Sequence, residues 1–253
     1  MLVKNTIALV VSVLAVHLAY LGYIRPEAAL LIEQAVGVGE ASPRVLVVIL
    51  KDWEQQICLT LMLWGCYLIL SKCRLIVRDR YLFKVDLLER DVEDSEGLEV
   101  ALESIESLPE ELRETPLVRT LLSSLKRYLI TKDVQNTSDT IDSSIEALAV
   151  KLEAENAMIR YLIWAIPSLG FIGTVRGIGE ALSQANEALA GNIAGMTDSL
   201  GVAFNSTLVA LLISILLMFL LNQLQRLQDS LVVDTQEYCQ NFLLNRISGY
   251  QKN

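Results

Sequence analysis

Two stretches of this sequence set hydroxyl groups among small residues at helical spacing. Pro167, Gly170, Thr174, Gly177 and Ala181 recur every three or four residues, which lays them along one face of an α-helix. Ser199, Ala203, Thr207, Ala210 and Ser214 repeat the pattern and leave Leu208, Leu211, Leu212, Ile215 and Phe219 for lipid or other helices. Each stripe centres on a threonine. Close helix packing accounts for the glycines, and Gly173-x-x-x-Gly177 is itself a packing signature in membranes. Packing accounts less well for hydroxyls at corresponding levels on two helices, with Asn205 and Ser206 beside Thr207, because a buried hydroxyl needs a partner in apolar surroundings. Polar groups at membrane depth also line ion paths. The residues alone therefore leave two readings open, a scaffold whose small stripes only pack helices and an ion path. Arg176 is a charge in the outer half of the first stretch, either snorkelling to the surface beside Glu180 or acting as a gate. Asp198, at the mouth of the second, either pairs with Arg176, attracts cations or caps its helix.

Such stripes need long apolar helices to carry them. Of the 253 residues 53% are hydrophobic, and the 20% that are charged are segregated from the apolar runs, which predicts an all-α integral membrane protein with a cytoplasmic domain. A span takes about 20 apolar residues. Four segments qualify: 5–24, ended by Arg25-Pro26 and read as retained; 45–71, a long helix whose first part lies at the interface before the polar run at 51–56; 157–182; and 196–222. A three-span chain is the alternative. Basic residues crowd behind the second segment (Lys72, Arg74, Arg78, Arg80, Lys84), whereas the 25–44 loop carries Glu27, Glu33 and Glu40 between its terminal arginines. That bias puts both termini in the cytoplasm.

The sequence thus divides into membrane helices over 1–72, a cytoplasmic helical domain over 73–156, the stripe-bearing helices over 157–222 and a helical tail over 223–253. In the cytoplasmic part, Leu98, Ala101, Leu102 and Ile105 keep helical spacing, with breaks expected at Pro109, at Pro116 and in the polar stretch 136–140. The acidic run from Glu89 to Glu114 reads as a solvated helix face or as a dock for a basic partner. In the tail, Leu224, Leu227, Leu231, Tyr238 and Phe242 suit packing against the 73–156 helices or assembly in an oligomer. The net charge of −9 arises mostly between residues 72 and 157, and no basic face offers itself to nucleic acid. Cys58, Cys66, Cys73 and Cys239 suggest neither a disulfide framework nor a metal site, and His17, the single histidine, has no co-ligand. No paired acids, activated nucleophile or phosphate loop is visible, so the chain reads as neither an enzyme nor a cofactor protein.

The run Pro167-Ser168-Leu169-Gly170-Phe171-Ile172-Gly173-Thr174-Val175-Arg176-Gly177-Ile178 resembles the P-x-L-G-h-h-G-T-V-x-G-h signature of the MotA/TolQ/ExbB proton-channel family. Ala203-Phe204-Asn205-Ser206-Thr207-Leu208-Val209-Ala210-Leu211 is similar to its second motif, A-h-x-T-T-x-x-G-L, with Ser206 for the first threonine, Ala210 for glycine, and Val202 where some members carry glutamate. The resemblance covers residues 157–222. It implies a ring, a homopentamer in the bacterial inner membrane, around two copies of a single-span partner of the MotB/TolR/ExbD kind that supplies a membrane aspartate. It also implies that Thr174 and Thr207, with Ser206 as a further oxygen, contact that aspartate or its H⁺ or Na⁺, while Pro167, Gly170, Gly173, Gly177, Ala203 and Ala210 pack the helices. Apart from Arg176 neither motif span has an ionisable group near its middle, so the titrating group is expected from outside this chain.

Overall fold

A computed structural model describes residues 2–38, 43–85, 87 and 95–250. Among them every regular element is helical, and four helical stretches are long and apolar enough to cross a membrane: Val3–Ala35, Trp53–Lys84, Val134–Ser183 and Ala194–Ile247. The chain divides into two compact units, one of residues Met1–Leu70 and Met158–Asn222, the other of Ser71–Ala157 and Gln223–Asn253. Glu40 and Glu89 lie outside the described residues.

The first unit begins with α1 (Leu2–Ala19), a π-helical turn (Tyr20–Ile24) and α2 (Arg25–Val38). The expected stop at Arg25-Pro26 does not occur. Pro26 cannot donate to the carbonyl four residues back, and the wide turn just ahead of it already shifts the ladder, with the Arg25 amide donating to Tyr20 O. The expected single helix from residue 45 is also replaced. A short α3 (Leu46–Ile49) ends at Leu50, and α4 starts afresh at Trp53 and runs to Asp79. The break at 50–52 sets Glu54 in the first turn of a new helix, where the helix dipole favours an acid.

The two stripe-bearing helices are α9 (Ala157–Ser183) and α11 (Ala194–Tyr238), with α10 (Ala185–Leu189) between them. At about 1.5 Å per residue, the 45-residue α11 is more than twice as long as a hydrocarbon core is thick. Pro167 sits inside α9 and deprives the Ile163 carbonyl of its helical donor. Ser214 of α11 donates its hydroxyl to that carbonyl at 2.9 Å, so a defect in one helix is repaired by the other, as apolar surroundings require. On the outer faces, Trp164, Phe171, Phe204, Leu212 and Phe219 are exposed, a surface suited to lipid or neighbouring helices and not to water.

In the second unit, α5 (Ser95–Glu106), α6 (Glu110–Arg113), α7 (Pro116–Thr131) and α8 (Val134–Glu155) enclose Leu98, Ala101, Ile105, Leu121, Leu125 and Ile141. The chain's end joins the same core through Tyr238, Cys239, Leu243 and Ile247, which come from the end of α11, a π-helical turn (Cys239–Leu244) and α12 (Asn245–Tyr250). The tail therefore packs against the 73–156 helices. Pro109 and Pro116 begin helices, but 136–140 is no break. Lys132 in the left-handed conformation ends α7, and Asp133 caps α8 by accepting from the Gln135 amide. Thr137 and Thr140 then turn their hydroxyls back to the Asp133 and Asn136 carbonyls at 2.9 and 2.8 Å, so a polar stretch rides inside the helix.

Two glycines of α9 give a test of the close packing. A Cβ at Gly177 would lie 2.7 Å from the backbone nitrogen of Ala203, whereas one at Gly179 meets nothing within 4 Å. Gly177→Ala should cost roughly 1–3 kcal/mol by overpacking, and Gly179→Ala should be neutral or stabilise by about 0.5–1 kcal/mol. Unfolding of the purified chain in mixed micelles checks both.

Candidate functional site

The stripes of α9 and α11 face each other. A Cβ at Gly170 would fall 2.6 Å from Ala210 Cβ, and one at Gly173 would fall 2.5 Å from Ser206 Cβ. With Gly177 against Ala203, three successive turns meet with almost no side chain between them. The small faces are thus filled by each other within one chain, and what remains open is the rim of the seam.

Thr174 and Thr207 sit on that rim, both half-buried. Their hydroxyls are hydrogen-bonded to each other. Thr174 Oγ1 also lies 3.0 Å from the Ala203 carbonyl and 3.3 Å from that of Gly170, and Thr207 Oγ1 lies 3.2 Å from the Gly170 carbonyl. Two hydroxyls bring two protons, and both have an acceptor within the cluster. Each oxygen keeps a free lone pair, and each O–H can rotate to an alternative acceptor. The pair accepts hydrogen bonds from water, hydronium or a protonated carboxyl, and it suits a bare Na⁺ as well.

Ser206 takes a different place. It is 1% exposed, donates to the Val202 carbonyl at 2.9 Å and accepts from Gln55 Nε2 of α4 at 3.2 Å. One residue before Thr207 is about 100° around the helix, so its oxygen serves α4 and not the threonine pair. Asp198 is half-buried in α11. His17 meets Gln56 Nε2 through Nδ1 at 3.0 Å, and the described residues contain no group of acids, cysteines and histidine fit to hold a metal.

Arg176 is paired with carboxylates on two helices. Its Nε and Nη2 donate to Glu54 Oε1 and Oε2 at 2.6 and 3.0 Å, and Nη1 donates to Glu180 at 2.9 Å. Asp52 lies 3.8 Å away. Glu54 is 0% exposed, a buried carboxylate tolerable only because the guanidinium grips it with two parallel bonds. Glu54 thus supplies Arg176 with an ionisable partner from α4, outside the two motif spans. Sequence reasoning placed Glu54 in an interfacial interruption. A usable signal was there, since an arginine in an apolar helix requires a counter-charge, and the acids at 52 and 54 are at the outer end of the preceding span.

The model of the MotA/TolQ/ExbB proton channel family matches residues 112–237, a range that contains both stripes and reaches well beyond 157–222 on each side. Residues 112–237 are thus a domain of that family of membrane channel and stator proteins. Neither the curated proteins nor the solved structures give a match.

Because the two hydroxyls bond each other across the seam, their contributions to stability should be coupled. Thr174→Val and Thr207→Val should each cost about 1 kcal/mol. The double variant should cost less than the sum by roughly 0.5 kcal/mol or more, as measured by a double-mutant unfolding cycle.

Proposed function

We propose that the chain is the multi-helix channel subunit of an ion-driven stator. With a single-span partner of the MotB/TolR/ExbD kind it couples a proton or sodium gradient to mechanical work. The observation that carries this reading is the Thr174–Thr207 pair: two hydroxyls bonded to each other and to backbone carbonyls at the rim of a glycine-lined seam. Such a pair offers lone pairs to a protonated acid or a cation and, on rotation of a hydroxyl, a donor to a carboxylate. A partner aspartate would be held there, directly or through its water or ion, as it charges and discharges.

The membrane potential supplies about 2.3 kcal/mol for each charge moved through 100 mV. A few ions per cycle therefore suffice to turn helices against one another. The proposed assembly is a homopentamer around two partner copies in the bacterial inner membrane, both termini cytoplasmic, with no enzymatic activity of its own. Exposed aromatic and aliphatic side chains on α9 and α11 support contacts with lipid, with neighbouring copies and with the partner.

Val is nearly isosteric with Thr and lacks the hydroxyl, so it separates conduction from packing. In cells or proteoliposomes containing the chain and the product of an adjacent reading frame with one aspartate-bearing span, Thr174→Val and Thr207→Val should each reduce ion flux at least tenfold, equivalent to about 1.4 kcal/mol, while the complex still assembles. Full flux in both assembled variants would leave the non-conducting scaffold as the correct reading.

A further inference from the structure

The polar run at the start of α4 takes no part in the threonine pair, yet two of its consecutive side chains are fully buried. Glu54 is 0% exposed and Gln55 1%. Neighbouring helical residues point about 100° apart, so the two reach different helices. Glu54 receives both bonds from Arg176 and so holds α9 two residues past Thr174. Gln55 donates to Ser206 and so holds α11 one residue before Thr207. Gly173 marks the meeting point: a Cβ there would lie 2.5 Å from Ser206 Oγ and 3.3 Å from Glu54 Cγ.

A seam of glycine, alanine and serine has little relief, so it brings helices close without fixing how far one is rotated against the other. Directional bonds must supply that. A bidentate guanidinium–carboxylate pair constrains angle as well as distance, and a buried amide restrains the other helix through the hydroxyl it bonds. We infer that Glu54 and Gln55 are positioning residues, a two-pronged clamp that sets the rotation of α9 and α11 and keeps Thr174 and Thr207 in hydrogen-bonding register. The inference rests on the reading of that pair as the ion-path element; Glu54 and Gln55 themselves touch neither threonine oxygen.

The test uses the full-length chain in membranes with Thr174→Cys and Thr207→Cys, which removes the threonines' own bond and leaves the clamp to hold the register. Mild oxidation followed by peptide mass spectrometry reads the 174–207 disulfide specifically, so the native cysteines stay in place. The yield should be high in this background. It should fall several-fold with Arg176→Gln, which strands the Glu54 carboxylate, and with Ser206→Ala, which removes the acceptor of Gln55. The pair Glu54→Gln with Arg176→Gln should recover most of the yield, because two amides can bond each other where a lone buried carboxylate cannot. Unchanged yield in Ser206→Ala and in folded Arg176→Gln overturns the clamp, and so does failure of the neutral pair to recover. If Arg176→Gln does not accumulate, Ser206→Ala, which loses a single oxygen, decides alone. This readout does not depend on conduction, so a chain whose Thr→Val variants conduct normally can still show the clamp, and the two failures are distinguishable.

Discussion

Helices α9 and α11 touch through the absence of side chains. Gly170, Gly173 and Gly177 leave room for Ala210, Ser206 and Ala203 at distances no Cβ would tolerate, and the hydrogen bonds between these two helices follow from that approach. Only because the backbones are this close can a threonine hydroxyl on one helix reach a carbonyl on the other. Only because the faces are smooth does the seam need polar contacts to fix its rotation. Pro167 belongs to the same logic. It frees a carbonyl, and the close neighbour supplies Ser214 to satisfy it.

Charge is handled with equal economy. Glu54 and Arg176 are each costly in an apolar medium, and together they form a pair whose donors and acceptors are matched. Asp52 and Glu180 flank the arginine, so it meets three carboxylates. In the stator reading the threonine rim faces the partner's ion, whereas the charge cluster looks toward α4. The chain thereby separates the groups that hold its own helices from the groups that meet something foreign.

The helix content, the four long apolar stretches and the glycine and threonine stripes were legible in the sequence because each is written in local spacing. Periodicity fixes a face, and Leu98, Ala101 and Ile105 fell into a core as their spacing required. What was not legible depended on contacts between distant residues or on hydrogen bonds that override a local bias. The 136–140 stretch reads as a loop by composition, yet Thr137 and Thr140 bond back into α8. Arg25-Pro26 reads as a stop, yet a π-helical turn absorbs the proline. Ser206 sits beside Thr207 in sequence, yet it answers to Gln55, 151 residues away. Glu54 was the costliest miss, because its partner is on a helix 122 residues further on.

An ion path along the seam requires a threonine rim that is wet and open to cations beside faces that are dry. Reaction of single cysteines with a membrane-impermeant cationic thiol reagent measures this directly in the assembled complex. Thr207→Cys should react much faster than Leu212→Cys, whose side chain points about 140° away around the same helix, toward lipid. Equal rates, or an unreactive Thr207→Cys, would contradict an ion path along the seam.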